Sequence, residues 1–203
     1  CDTFLDEYLV CADGSGGFLG IQEAADGVPA DSTLELCPGV YEEDIVEWFL
    51  AGGSLVLLQD DTDHDGIGTR LGIPTAGWSD GSATSGSGAL FEGPFGSAEA
   101  VYQNGNIGYL NEADVLAAGG TVAGRNASGQ VTAATWDIGE YGPTAGRLVI
   151  VADVDMWSSY GVATYSPLND NGRFALNSFA FAINGADVDQ DGIRDSEDAC
   201  FGV

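Results

Sequence analysis

Residues 187–198, DVDQDGIRDSED, carry carboxylates at Asp187, Asp189, Asp191, Asp195 and Asp198. Counted from Asp187, these fall at places 1, 3, 5, 9 and 12 of a twelve-residue calcium loop, with Gly192 at place 6 and Ile193 at place 7. Alternate carboxylates in a tight loop converge on one cation. Glycine permits the sharp bend, and Ile193 offers its carbonyl oxygen while its side chain tucks inward. Hard oxygen ligands in this number suit Ca²⁺ better than Mg²⁺, which takes fewer protein ligands and keeps its waters. The competing reading is a solvated acidic linker; the complete ligand spacing favours the ion.

A second acidic stretch, DDTDHDGIG, sets Asp61, Asp63, Asp65 and Gly66 at places 1, 3, 5 and 6 of the same pattern. Thr69 and Gly72 stand where places 9 and 12 would fall, so the closing carboxylate is missing. The stretch follows an apolar run, SLVLLQ, and a second acidic pair, Asp153 and Asp155, follows another, GRLVIVA. If both runs are parallel core strands, Asp60, Asp61, Asp153 and Asp155 gather at one carboxyl edge, where open α/β sheets hold their ligands. A cation shared between the two loops is then expected; the alternative is an acidic, hydrated loop.

The elements that must position these groups are legible in the first half. EYLVC reads as a strand, FLGIQEAADGV as a helix, STLELC as a second strand, YEEDIVEWFLAGG as a second helix stopped by Gly52 and Gly53, and SLVLLQ as a third strand. Strands alternating with helices over short loops indicate parallel pairing with helical crossovers. From residue 61 to about 97 the chain is rich in Gly, Ser and Asp and reads as a long irregular excursion, with one helical turn near TRLGI. AVYQNGNIGYL, ADVLAAGGTVAGRN, QVTAATWDIGEYG and GRLVIVADVDMW then add strands, several antiparallel, and GRFALNSFAFAIN closes with an amphipathic helix.

Two family resemblances enter on these residues. The closing loop resembles a thrombospondin type 3 calcium repeat and, more distantly, an EF-hand or dockerin loop; Cys200 fits the type 3 pattern, in which cysteines staple neighbouring repeats. VEWFLAGGSLVLLQDD and GRLVIVADVDMWSSYGVATYSPLNDNGRFALNSFAFAIN look like the secreted relatives of class I glutamine amidotransferase-like domains, over residues 30–184. That resemblance implies an α/β fold: a three-layer flavodoxin-like sandwich with a mostly parallel central sheet plus antiparallel additions. It places one domain over residues 1–184 and a calcium-binding repeat over 185–203. A rival resemblance covers the N-terminus alone. DGSGGFLGIQEAADGVPADSTLELCPGVYEEDI looks like the start of a right-handed parallel β-helix, but the repeated short strands of that architecture do not follow.

The family's catalytic apparatus does not carry over. Cys37 superficially occupies a nucleophile elbow, yet the next residue is Pro38, which has no backbone N–H to offer an oxyanion. The sole histidine, His64, lies in the acidic loop and not in the family's late position. No phosphate loop, dinucleotide fingerprint or His-rich zinc site occurs, and no carboxylate pair is singled out for hydrolysis. The chain is therefore expected not to be an enzyme.

Composition sets the surroundings. A hydrophobic share of 44% over 203 residues is enough for a proper core, and no run is long enough to span a membrane. Thirty-two acidic residues face five arginines and no lysine, for a net charge of -27. Nucleic acid and anionic membrane surfaces are poor partners for such a chain, because both need basic patches. Acidity dispersed along the whole chain fits a salty medium, where screening weakens self-repulsion. Four cysteines, unlike a paired zinc pattern, imply two disulfides and an oxidising compartment, with three pairings open on paper. Cys11 and Cys37 end neighbouring predicted strands and are the expected pair, which leaves Cys1 with Cys200. Cys1 as first residue fits either processing, with room for a lipid anchor, or truncation of a longer chain.

The sequon at Asn126 is a candidate glycosylation site on an extracellular surface, or else an ordinary turn. Trp48, Trp136, Trp157 and Phe91 are expected in packing roles. The resulting expectation is a secreted or surface-attached, non-catalytic domain that binds Ca²⁺ and works in adhesion or assembly, with other surface or matrix proteins, or further copies of itself, as partners. Two alternatives stand beside it. One is a metal-dependent hydrolase at the acidic edge; the other is a carbohydrate-binding module, which predicts exposed aromatics on the long excursion.

Overall fold

The computed structural model of the chain describes residues 7–10, 33–36, 42–60, 65–80, 83–102, 106–157 and 169–184. Its contacts divide between Trp48 and Phe49 into two units. In the first, β1 (Glu7–Val10) pairs in parallel with β2 (Thr33–Leu36), Glu7 opposite Thr33 and Val10 opposite Leu36. Parallel neighbours this close in sequence require a crossover between them, as the alternating pattern predicts. The helix expected between them lies outside the described residues. Helix α1 (Glu42–Leu50) runs across the division between the units.

The second unit is a mixed α/β body built on one eight-stranded sheet. Strands β3 (Leu55–Leu58), β12 (Leu148–Val151), β11 (Val131–Trp136), β10 (Thr121–Asn126), β5 (Ala83–Gly86) and β8 (Val101–Tyr102) follow one another across it. Strand β9 (Asn106–Leu110) joins β11 to β4 (Thr75–Asp80) beside this path. Among the described strands of this sheet, only β3 and β12 pair in parallel. The other pairings are antiparallel. The expected mostly parallel sheet is corrected here to a mostly antiparallel one. The physical reason is connection length: a tight turn joins β10 to β11, and an irregular stretch without a helix joins β11 to β12. A parallel return needs a crossover of a dozen or more residues, usually helical. The same antiparallel pairing rules out continuation of a parallel β-helix through this unit.

Two further expectations change. Where it is described, the excursion over residues 61–97 is not irregular: it carries α2 (Gly66–Arg70), β4, β5 and the small hairpin β6 (Glu92–Gly93) with β7 (Gly96–Ser97). Gly- and Ser-rich strands escape period-two reading because they bring few apolar side chains to alternate. ADVLAA, read as strand, is helix α3 (Glu112–Ala117), begun by Asn111, whose side chain accepts from Ala113 N at 3.0 Å.

β12, LVIV, is buried at every position, which requires cover on both faces. By alternation Val149 and Val151 share one face, where they join Phe174 and Phe181 of α4 (Asp170–Asn184), Phe91, Val101 and Met156 in the main core cluster. Met156 belongs to a 3₁₀ turn, Val154–Trp157, that follows β12. On the opposite face Trp136 is fully buried, its indole N–H donating to Ala118 O at 3.0 Å beyond α3.

One polar side chain ties α4 to the sheet periphery. Asn177 is fully buried; its Oδ1 accepts from Phe95 N at 2.9 Å, and its Nδ2 donates to Leu90 O at 3.2 Å and Gly96 O at 3.1 Å. All three partners belong to the segment around the β6–β7 hairpin. Each such bond is worth ~0.5–1.5 kcal/mol net, and an unsatisfied buried group costs more. Asn177→Ala is therefore expected to destabilise the protein by ~2–4 kcal/mol in equilibrium denaturation. A loss below ~1 kcal/mol would show that the hairpin is held by its own backbone and by Phe91.

Candidate functional site

The carboxyl edge of the parallel pair β3–β12 is where the sequence directs attention. Leu58 lies opposite Val151, so Asp60 and Asp153 each stand two residues beyond the last paired position of adjoining strands, at the same carboxyl edge. Asp153 is buried and Asp60 half-buried. Strand register thus brings these two of the four expected acidic residues to one edge.

What surrounds them is the chain itself. Gly108 of β9 presses on this edge so closely that a Cβ there would overlap the Asp60 carbonyl oxygen and stand 2.8 Å from that of Ala152. Gln59, also buried, turns its Nε2 to Ile73 O and Thr75 Oγ1, both at 3.3 Å, with its amide packed against Gly68. Asp65, the described member of the second acidic loop, is buried before α2. Its carboxylate accepts from Thr75 N at 2.7 Å and from Thr69 Oγ1 at 3.0 Å. Both of its oxygens thus hold the turn that carries the chain from α2 into β4. Among the described residues, no three His, Cys, Asp or Glu side chains converge where a metal ion could sit.

The remaining expected residues are placed as follows. The calcium loop Asp187, Asp189, Asp191, Ile193, Asp195 and Asp198 lies outside the described residues, as do Asp61, Asp63, His64 and all four cysteines, Cys1, Cys11, Cys37 and Cys200. Asn126 is described and buried. Its Oδ1 accepts from Ser128 N and Gln130 N, each at 3.0 Å, and its Nδ2 donates to Gln130 Oε1 at 2.9 Å. This locks the β10–β11 turn, a structural task any glycan on that amide would have to share. Trp136 and Phe91 are core residues, as expected, and Trp157 packs its ring on Phe179 at 4.9 Å. On the excursion, Trp78 and Phe95 are half exposed.

Among the described residues three ionisable groups depart from their ordinary ranges: Glu112, its partner Arg125, which the shared hydrogen bonds push up, and Tyr141. The hydrogen bonds from Arg125 hold the Glu112 carboxyl below its usual value, at 2.6 and 3.0 Å. A lowered carboxyl favours the folded state above the unfolded carboxylate range, and that help fades as pH falls through the folded value. The pair is solvent-exposed, so its effect is small. Burial pushes the Tyr141 hydroxyl up; it donates to Leu71 O at 2.8 Å while its ring meets Phe49 edge-on.

Sequence reading missed a second constellation at the opposite end of the sheet. Arg147, immediately before β12, is only 2% exposed. Its Nε donates to Asp137 Oδ1 at 2.7 Å and its Nη1 to Ile183 O at 3.0 Å, near the end of α4. The signal was present in GRLVIV, where a cation adjoins a fully apolar run and so has to be buried with a partner. Asp137 in turn lines a cleft of about 280 Å³ with Glu140, Thr121 and Thr135.

No family model matches the chain, and no curated protein matches its sequence. Among solved structures it is similar to the mmIFT52 N-terminal domain, with a TM-score of 0.51 and 10% identity over 89% of this chain and 99% of that one. It is also similar to the exo-beta-1,4-mannosidase Op5Man5 from Opitutaceae bacterium strain TAV5, with a TM-score of 0.42 and 12% identity over 73% of this chain and 24% of that one. At 10% identity the first likeness speaks to the fold alone.

Proposed function

We propose that the chain is a non-catalytic, calcium-binding structural or adhesion domain that works outside the cell, on a surface or in an assembly. The observation that carries this reading is what the described side chains do at the carboxyl edge. There Asp65 and Gln59 are engaged in the fold, and Gly108 brings β9 onto the edge itself. An edge closed in this way serves as scaffold, and the calcium task falls to residues 187–198, whose ligand spacing is complete. The net charge of -27 supports a salty, cation-rich setting. The finer architecture we favour is the amidotransferase-like, flavodoxin-like three-layer sandwich. The parallel pair β3–β12, with α4 in the same core cluster as its buried face, supports it. The expected partners are other surface or matrix proteins or further copies of the chain.

Calorimetric titration of the full chain with Ca²⁺ tests this. Binding is expected in the unaltered protein and lost in the double variant Asp187→Ala, Asp198→Ala; unchanged heat in that variant would remove the assignment. A second reading, a metal-dependent hydrolase using Asp61 with Asp153 or Asp155, is favoured by the adjacency of Asp60 and Asp153 at one edge. It requires a separate cation-binding event that survives the tail variant and disappears in Asp61→Ala, Asp63→Ala.

A further inference from the structure

Helix α4 is apolar on two faces. Phe174 and Phe181 lie on the face that enters the core. Leu176, Phe179, Ala180 and Ile183 lie on the other, at the i, i+3, i+4, i+7 spacing that makes one stripe of a helix. Phe179 is 48% exposed and Ile183 72%, with Leu176 and Ala180 half-buried beside them. A surface helix ordinarily turns charged residues outward. From Phe174 to Asn184 this one carries no ionisable residue, in a chain of net charge -27. The stripe is also held in place: the Trp157 ring meets Phe179 at 4.9 Å, and Arg147 Nη1 donates to Ile183 O at 3.0 Å.

The chain's own sequence supplies a cover of matching spacing. Asp187, place 1 of the calcium loop, comes three residues after Asn184, the last of α4. Carboxylates at places 1 and 12 reach the same ion, each at about 2.3–2.6 Å, so a loaded loop returns Asp198 to the neighbourhood of the helix end. The ion neutralises the carboxylates whose repulsion opposes that return. Ala199, Cys200, Phe201, Gly202 and Val203 follow. In an extended segment Phe201 and Val203 share one side, about 7 Å apart. Phe179 and Ile183 are about 6 Å apart along the helix. Five extended residues reach roughly 17 Å, which exceeds the ~10 Å from Ile183 back to Leu176.

A second copy of the chain is the rival cover, and charge disfavours it, since it brings another -27 to the same surface. The tail has its carboxylates neutralised by the ion and is tethered to the stripe, which raises its effective concentration there. We infer that residues 199–203 close onto the outward face of α4 when the loop takes up Ca²⁺, Phe201 and Val203 covering Phe179 and Ile183. The inference rests on the calcium reading of residues 187–198. Its consequence is a tail whose direction relative to the second unit is set by calcium.

Calorimetric Ca²⁺ titration of the full chain, with Nile red as a neutral probe of exposed apolar surface, tests it. Nile red emission is expected to fall as Ca²⁺ is added. By reciprocity, uncovering either partner weakens Ca²⁺ binding: Phe179→Ser with Ile183→Ser, and separately Phe201→Ser with Val203→Ser, are each expected to cost about fivefold or more in affinity and to abolish the fall in emission. All four changes together should cost no more than either pair, since the two pairs remove one contact. Leu116→Ser, at an exposed apolar residue on α3, should leave the affinity unchanged, and circular dichroism should stay native throughout. If both pairs of changes leave the affinity unaltered, the closure is wrong and the calcium assignment stands. If the unaltered chain takes up no Ca²⁺, both fall. If the fall in emission grows with protein concentration and sedimentation shows a dimer, a second copy covers the stripe and the closure is overturned.

Discussion

Gly108→Ala is expected to destabilise the protein by ~3 kcal/mol or more, about 6–12 °C in the midpoint of a thermal scan for a chain of this size. The added methyl has nowhere to go. Two of the nearest atoms are backbone carbonyl oxygens, Asp60 O and Ala152 O, and the third is Thr75 Cγ2 at 3.0 Å. A flexible side-chain tip could swing aside, but carbonyls at the ends of two paired strands can move only if β3 or β12 moves with them. Both are tied through Gln59 N, which donates to Val151 O at 2.8 Å. The contrast is Gly129→Ala. That residue sits at φ +79 in the β10–β11 turn with open space around its Cβ, so its cost is backbone strain alone, on the order of 1 kcal/mol. Chemical denaturation of the two variants side by side would check this. Equal losses would mean that β9 can lift from the carboxyl edge, and the closed edge invoked above for a scaffolding role would be open to a ligand after all.

Gly108 also shows where sequence reading stops. NGNIGYL reads as a strand from its apolar alternation, and it is one, but nothing in the letters says that its glycine answers to carbonyls roughly fifty residues upstream and forty downstream. Local pattern served where the signal is local. The strands at residues 7–10, 33–36 and 55–58 and the helices at 42–50 and 170–184 each carry their own periodicity, and all are found. Antiparallel strands were expected in the second half and are found there, but that they dominate the sheet was not, because pairing direction depends on the connections. A βαβα beginning says little about hairpins that follow it. The strands hidden in the Gly- and Ser-rich excursion failed for a related reason: β5, ATSG, earns its place by bonding to β10 and not by burying large side chains. At the candidate edge, Asp60 and Asp153 were found because strand order alone brings them together, whereas Asp65 could not be assigned from spacing. Its role depends on Thr75 N, ten residues away across a turn.

The pair Arg147 and Asp137 should respond to substitution asymmetrically, and the direction follows from burial. The Arg147 side chain is 3% exposed and that of Asp137 27%. Removing the more exposed partner, Asp137→Ala, leaves a guanidinium inside the protein with Nη1 on Ile183 O as its remaining hydrogen bond and Nη2 still unmet. Stranding a buried charge in this way costs about 3–5 kcal/mol. Removing the buried partner, Arg147→Met, takes away the charge that needed solvation and keeps most of the packing volume. Asp137 is then left with a carboxylate that water reaches, so the cost should fall to about 1–2 kcal/mol. The double variant should accordingly be more stable than Asp137→Ala alone, since the second change removes the stranded cation. Equilibrium denaturation of the three variants gives the coupling directly. If Arg147→Met proves the more damaging single change, the guanidinium is held chiefly by α4 through Ile183 O and not by Asp137.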